Sequence, residues 1–407
     1  MKPKKRQVLI HDDEPSASTG WRDQLGKLLG KYFEVRSLNN DAFGKILNTL
    51  EARRSSARSS KKEKLAPCEI DDAGILIIDY DLLQSTNQQF LTGEAFAYLS
   101  RCYSSCGLII VVNQFGGDIF DLTMLGHPES YADLNVGAKQ LVCDGLWREP
   151  WRGFRSWHWP LMPQLLDNFE IRVGHIIQKL DQAIIGVLGL DEVSSSFSGP
   201  AAEFLQGTVK KPLNNITFRD FVVENRTNGL RYKDKPLNDE TVARIAASRL
   251  SKWLERLILA GQDILVDAPH LVSRFPSLLS GSRNQVSSWN KTTRISKRAP
   301  SGIRNSSIRG FEYKHPEWLS RPAWFWPQVM TSKKILEVRN PFGQSAGIPD
   351  FVFCEDISRF LRREQAQEYI ADLPSPFVRR YVARANSKKF KSLRDITYAP
   401  EVRFALT

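Results

Sequence analysis

The chain has 407 residues, 42% of them hydrophobic and 25% charged, with 57 Lys and Arg against 45 Asp and Glu for a net charge of +12. That length leaves room for two or three domains with cores of their own, and the composition is that of a globular protein rather than a fibrous or disordered one. The longest apolar run, Ile184 to Leu190, is about a third of the ~20 residues a membrane helix needs, and the basic start Met1 to Arg6 leads into a short strand instead of a signal core, so a cytoplasmic protein without membrane association is expected.

Gln7 to Ile10 is a short apolar run ending in His11-Asp12-Asp13-Glu14-Pro15, the pattern of a buried parallel strand with acids at its carboxyl end. Ser18 to Leu29 has helical spacing, with Trp21, Leu25, Leu28 and Leu29 on one side. Tyr32 to Ser37 reads as a second strand and Asp41 to Ala52 as a second helix. Residues 53–66 are polar, basic and low in complexity, so a loop-like insertion is predicted there. Ile75 to Ile78 is a strand ending in Asp79, Gly93 to Cys102 a helix, and Gly107 to Val112 a fourth strand. Val136 to Ala138 reads as the end of a helix and Leu141 to Cys143 as the fifth strand. Strands alternating with helices predict an α/β fold with a doubly wound, five-stranded parallel sheet. Ligands of such sheets sit beyond the carboxyl ends of the strands, where Asp12, Asp13 and Asp79 fall.

Trp147 to Pro163 holds four tryptophans, three arginines and three prolines and reads as a packed hinge. Phe169 to Leu190 follows as a predicted helix, then a soft loop, Ser194 to Pro200. Asn238 to Gly261 is the strongest helix, capped by Asn238 or Asp239 and ended by Gly261. Its apolar stripe leaves Arg244, Arg249, Lys252 and Arg256 to one side. Ile264 to Val266, Ile335 to Val338 and Phe351 to Phe353 read as strands, and 280–310 as a basic loop. The expected organisation is 1–148 for the parallel sheet, 149–200 for the Trp-rich linker and helix, and 201–407 for a mixed α+β region. The five cysteines fit neither a disulfide framework nor a zinc pattern, and are expected as buried thiols.

VLIHDDEP, Val8 to Pro15, is similar to the opening strand of response-regulator receiver domains, and ILIIDYDLL, Ile75 to Leu83, resembles the strand that delivers their phosphoacceptor. The resemblance covers about a third of the chain. It implies a receiver-like fold in which Asp79 is the acceptor, Asp12 and Asp13 bind Mg²⁺, and the backbone carbonyl of Asp81 completes the ion's shell. Three clustered carboxylates favour a hard divalent cation in any case. Two switch positions depart from the family: Asn113 stands where a Thr or Ser is usual, and the position matching the usual Lys is Asp144. Lys139 is set aside as a residue of the helix–strand junction. An anion in place of that cation disfavours phosphorylation by ~4 kcal/mol per charge pair at ~4 Å and a dielectric of about 20. A degenerate receiver that docks or dimerises, or that meets a histidine kinase, is the expectation.

Residues 1–150 carry 18 Lys and Arg and 20 Asp and Glu, which leaves +14 for the rest and points to a polyanion as the partner of the C-terminal region. Candidate nucleic-acid contacts are Arg283, Lys291, Arg294, Lys297, Arg298, Arg379, Arg380, Lys388, Lys389 and Lys391, interleaved with Trp289, Phe311, Tyr313, Trp318, Trp324, Phe325 and Trp326 for stacking, though large rings are more often core. The favoured function is a signalling protein with this basic region as effector. Two alternatives stay open: a C-terminal enzyme, such as a metal-dependent nuclease using Glu337, Asp350, Glu355 and Asp356, and a non-catalytic subunit of a bacterial defence or signalling complex. Asp267 and His270 read as turn residues rather than an acid–base pair.

Overall fold

The computed structural model describes residues 6–59, 66–82, 91–113, 130–148, 161–294, 299–332, 350–355, 357–370 and 379–383. The Trp-rich stretch 149–160, the expected strand at 335–338, Glu337 and Asp356 lie outside them.

The strands β1 (Arg6–His11), β2 (Phe33–Ser37), β3 (Ala73–Asp79), β4 (Leu108–Asn113) and β5 (Leu134–Gly137) form an all-parallel sheet in the order β2-β1-β3-β4-β5. Val8 to Ile10, Ile75 to Ile78 and Leu108 to Val112 are wholly buried, which is why these strands read as unbroken apolar runs: both faces are covered. Edge strand β2 instead alternates, turning Glu34 and Arg36 toward solvent. The chain steps from β1 outward to β2, then crosses back to β3, so the sheet's switch point lies between β1 and β3.

Helices α1 (Pro15–Leu29), α2 (Asn40–Ser59) and α3 (Gly93–Tyr103) connect these strands, and α2 packs on α3. α2 runs well past the expected end at Ala52. Its polar last turns are held because Arg53 is buried, with its guanidinium on the Asp71 carboxylate (2.6 and 2.9 Å) and the Ala66 and Tyr103 carbonyls. The fifth strand is Leu134–Gly137 and not Leu141 to Cys143. Val136 belongs to it, and α4 (Ala138–Leu141) and α5 (Asp144–Trp147) follow.

The expected long helix from Phe169 divides into α6 (Met162–Ile177), which starts earlier with Pro163 in its first turn, and α7 (Ile184–Val187), separated by a turn at Lys179–Gln182. Leu166 of α6 packs against Gly74 and Gly107, where any larger residue would strike it. After α8 (Gly199–Gln206), capped by Ser198, and α9 (Phe218–Val223) comes α10 (Asp239–Trp253), capped by Asn238 and continued by one π turn, Leu254–Ile258. Every residue from Thr241 to Trp253 is buried, because α10 packs against α3, α6 and α9. One apolar cluster runs from Val8 to Ala323 and so crosses from the sheet into these helices.

The last part is built from α11 (Ala268–Arg274), α12 (Val286–Asn290), α13 (Trp326–Thr331) and two small sheets. β6 (Leu265–Asp267) pairs antiparallel with β7 (Ala323–Phe325), while β8 (Phe351–Cys354), β9 (Arg359–Arg362), β10 (Ala366–Ile370) and β11 (Arg379–Ala383) are ordered β10-β11-β8-β9. A second apolar cluster beneath them contains Trp289, Trp324, Trp326, Phe351 and Phe353.

Candidate metal centre at the carboxyl ends of β1 and β3

The register His11↔Ile78 brings the next residues of the two strands, Asp12 and Asp79, level with each other at the switch point. Asp12 and Asp79 are buried and Asp13 is half-buried, and one oxygen from each of the three lies within 4.8 Å of the others. Asp12 Oδ1 accepts the Glu14 amide at 2.8 Å, and the Asp81 amide donates to Asp79 Oδ2 at 3.1 Å, so the loop backbone fixes the rotation of both carboxylates. Burial pushes Asp12 up to about 7, with Asp79, Asp13 and Glu14 adding to it against the pull of the Glu14 amide. This carboxyl therefore holds its proton to higher pH than an ordinary aspartate, and a divalent cation competes with that proton.

His11, which ends β1 beside Asp12, is uncharged. The His11 ring stacks on Phe43 at 3.8 Å, and its Nδ1–H donates to the Leu38 carbonyl at 3.2 Å. Burial pushes its pKa down to about 4, so it brings no positive charge to the carboxylates. α3 begins immediately behind Asp79, where the Gly93 amide donates to the Tyr80 carbonyl at 2.7 Å and the Thr92 hydroxyl caps the Ala95 amide. A Cβ on Gly93 would collide with the Asp79 carbonyl, so a glycine is required for this close approach. Sequence reasoning missed Gly93, whose only signal is its place just after a capping Thr.

Of the two switch positions, one falls where expected and one does not. Asn113 does end β4, opposite Gly137, but its side chain lies outside the described residues. Asp144 does not end a strand. It opens α5 and pairs with Arg148 at 3.0 Å, and it is not among the carboxylates that can share an ion with Asp79. Lys139, whose side chain also lies outside the described residues, follows β5 rather than preceding a strand.

Among the described residues no second group of three ligand side chains is close enough to hold a metal. Asp350 is exposed, while Glu355 is buried and bonded to Arg380 at 3.0 Å. Asp267 caps α11 and also accepts from His270 Nδ1 at 2.7 Å. This pair belongs to a buried chain of alternating sign, Arg321–Asp267–His270–Glu355–Arg380, that ties β6 and α11 to β8 and β11.

Of the candidate nucleic-acid contacts, Lys291, Arg294 and Arg379 are exposed and Arg283 is half-buried, whereas Lys297, Arg298, Lys388, Lys389 and Lys391 lie outside the described residues. Arg380 is buried in the ion chain and has to be removed from the set. Trp289, Tyr313, Trp318, Trp324 and Trp326 are buried and build the core, so they offer no stacking faces, while Phe311 and Phe325 are half-buried. The cations of α10 are also internal. Arg249 donates to the carbonyls of Asn228 and Ser130, Lys252 to those of Ser130 and Ala132, and Ser248 to Asp133, which Arg101 grips at 2.5 Å. They fix the approach to β5 and cannot lie on a nucleic-acid backbone.

No protein-family model, no curated protein and no solved structure matches this chain.

Proposed function

We propose that this chain is a signalling or regulatory protein in which a receiver-like sheet binds Mg²⁺ at Asp12, Asp13 and Asp79 and passes the state of that pocket to a basic C-terminal region. The observation that carries the reading is the set of three carboxylates within 4.8 Å at the switch point of a parallel sheet ordered 2-1-3-4-5. An all-oxygen, acidic donor set fits a hard divalent cation. When bound, such an ion supplies the positive charge that a phosphoryl group needs beside three carboxylates.

Asp12 and Asp13 hold the cation, and Asp79 is the group that meets an incoming phosphoryl donor. A carboxylate oxygen of Asp79 forms the new P–O bond in line as the leaving group departs with its electron pair. The Asp81 amide on Asp79 Oδ2 keeps the carboxylate from turning. Asn113 ends β4 where a hydroxyl residue is usual, and Asp144 opens α5, pairs with Arg148 and is not one of the three clustered carboxylates. Docking by a histidine kinase or another protein at this pocket is part of the same proposal.

Coupling is supported by Arg249, Lys252 and Ser248, which hold the segment Ser130 to Asp133 immediately before β5. The output side is supported by Lys291, Arg294, Arg304 and Arg309, all exposed on a stretch, 281–314, whose single acid is Glu312. Such a surface suits a polyanion.

The test is tryptophan fluorescence of the full chain titrated with Mg²⁺ and beryllofluoride. A saturable change that disappears in Asp79→Asn is expected. A wild-type response identical to that of Asp79→Asn would remove Asp79 from the mechanism.

A further inference from the structure

α2 leaves the carboxyl end of β2 and runs back along the sheet, so Arg54 and Arg58 in its last turns lie toward the amino ends of the strands, away from Asp12 and Asp79. There they meet a turn from Arg231 to Asp234, closed by the Asp234 amide on the Arg231 carbonyl at 2.9 Å. The Asp234 carboxylate is buried and accepts from Arg58 Nε at 2.6 Å, Arg54 Nε at 3.2 Å and the Tyr98 hydroxyl at 2.5 Å. The Arg231 amide donates to the same hydroxyl at 3.1 Å, and its guanidinium lies 4.2 Å from the centre of the Tyr98 ring. This turn is bolted to the sheet module from beneath.

What it holds up is unusual. Tyr232, at its tip, is 76% exposed, the highest value among the large hydrophobic side chains described. Arg231, Lys233 and Lys235 are exposed beside it, and the Lys233 ammonium stands 5.5 Å from the Tyr232 ring centre. Lys233 takes φ +70°, at a turn position where Gly or Asn is usual because a side chain crowds the backbone. A ring left in water and a lysine kept in a strained conformation add nothing to the core. Strain held in place by its surroundings is a common mark of a functional surface. Among the described residues Arg54 pairs with Glu51 and Asp234, and Arg58 with Asp234.

We propose that this turn binds single-stranded nucleic acid, with a base stacked on Tyr232 and the flanking phosphates taken by Arg231, Lys233, Lys235 and Arg58. The proposal rests on the polyanion reading above but assigns the contact to a different surface, at the junction of α2 with the turn before α10. A flat exposed ring has a use for an unpaired base, whose π-face is open, and little for a duplex, whose faces are covered. Among the described residues the other exposed large hydrophobic side chains, Tyr32, Ile171, Ile177 and Val286, belong to other elements, so none of them joins the ring in the aliphatic patch that membrane insertion would require. Because the turn is already fixed, little ordering remains to oppose binding.

The experiment is fluorescence anisotropy of the full-length chain with a labelled oligo-dT strand of about 20 nucleotides. Tyr232→Ala is expected to weaken binding about tenfold and Tyr232→Trp to restore it. Lys233→Glu with Lys235→Glu is expected to weaken it further and to flatten its salt dependence. Tyr32→Ala, which removes another exposed ring beside a lysine, is expected to have no effect. Failure of the wild type to bind the strand at all would overturn the polyanion reading and this proposal together. Wild-type binding unchanged by both Tyr232→Ala and the double variant would overturn this proposal alone. Equal losses for oligo-dT and for heparin, or for phosphatidylserine vesicles, in Tyr232→Ala would show that no base stacks there and would also overturn it.

Discussion

Two buried charge clusters in this molecule are built on opposite plans. Between β6, α11, β8 and β11 the signs alternate, from Arg321 to Asp267, His270, Glu355 and Arg380, and each group faces its opposite at 2.7 to 3.6 Å. At the ends of β1 and β3 the charges that bear most on Asp12 are all carboxylates. A buried charge with a matched neighbour acts as a pin between elements, and removing one member leaves the other stranded. Buried charges of one sign raise the energy of the folded chain until protons or a cation arrive. The first arrangement serves the fold, and the second is open to a ligand.

Three substitutions sharpen that contrast. The largest effect is expected from Glu355→Gln, which leaves Arg380 and His270 facing a neutral amide. Urea unfolding should show a loss of about 3–5 kcal/mol, and Mg²⁺ does not change the size of that loss. A loss below about 1 kcal/mol would mean that the chain is no pin.

Asp12→Asn should act in the opposite direction. The amide keeps the acceptor for Glu14 and removes a charge that burial and Asp79 disfavour, so the metal-free protein gains about 2–4 kcal/mol at pH 8 while losing Mg²⁺ affinity. The same shift gives the wild type a pH signature. The folded pKa of Asp12 lies above its ordinary value, so its contribution to stability is complete below the ordinary carboxylate range and is lost as pH rises through about 7. For His270, burial opposes the charged ring but Asp267 and Glu355 outweigh it, and its contribution too is lost as pH rises through a raised pKa. Melting temperatures of the metal-free protein should therefore fall from pH 5 to pH 8. Saturating Mg²⁺ should restore the Asp12 share and leave the His270 share.

The smallest effect is expected from Gly93→Ala. The added methyl pushes on the Asp79 carbonyl, costing about 1–3 kcal/mol in urea unfolding and weakening Mg²⁺ binding without touching a ligand. Unchanged Mg²⁺ affinity would show that the Asp79 end of β3 tolerates displacement.

The parallel sheet was legible where burial on both faces makes a strand wholly apolar, as in β1, β3 and β4. It was misread at β5, because Leu134–Gly137 is short and contains Asn135 and Gly137, while the next apolar residues, Leu141 and Val142, look more like a strand. The polar run after Ala52 looked like a loop because nothing local reveals that Asp71 and two carbonyls wait for Arg53. The carboxylate cluster was legible because Asp12 and Asp79 end two apolar strands. The cations of α10 were misjudged for the reason that hid Arg53: periodicity shows which residues are charged, whereas their backbone-carbonyl partners come from segments over 100 residues away for Lys252. The Tyr232 turn escaped notice because exposure of an aromatic ring has no signature in sequence.

The central claim is that the like-charged pocket takes a divalent cation. It is tested most directly by calorimetric titration of Mg²⁺ into the metal-free protein at pH 7, in two buffers of different ionisation enthalpy, with Asp79→Asn beside the wild type. One saturable site is predicted, with proton release from Asp12 seen as a buffer-dependent heat and with binding abolished in Asp79→Asn. Absence of binding in the wild type, or equal binding in Asp79→Asn, would contradict the account.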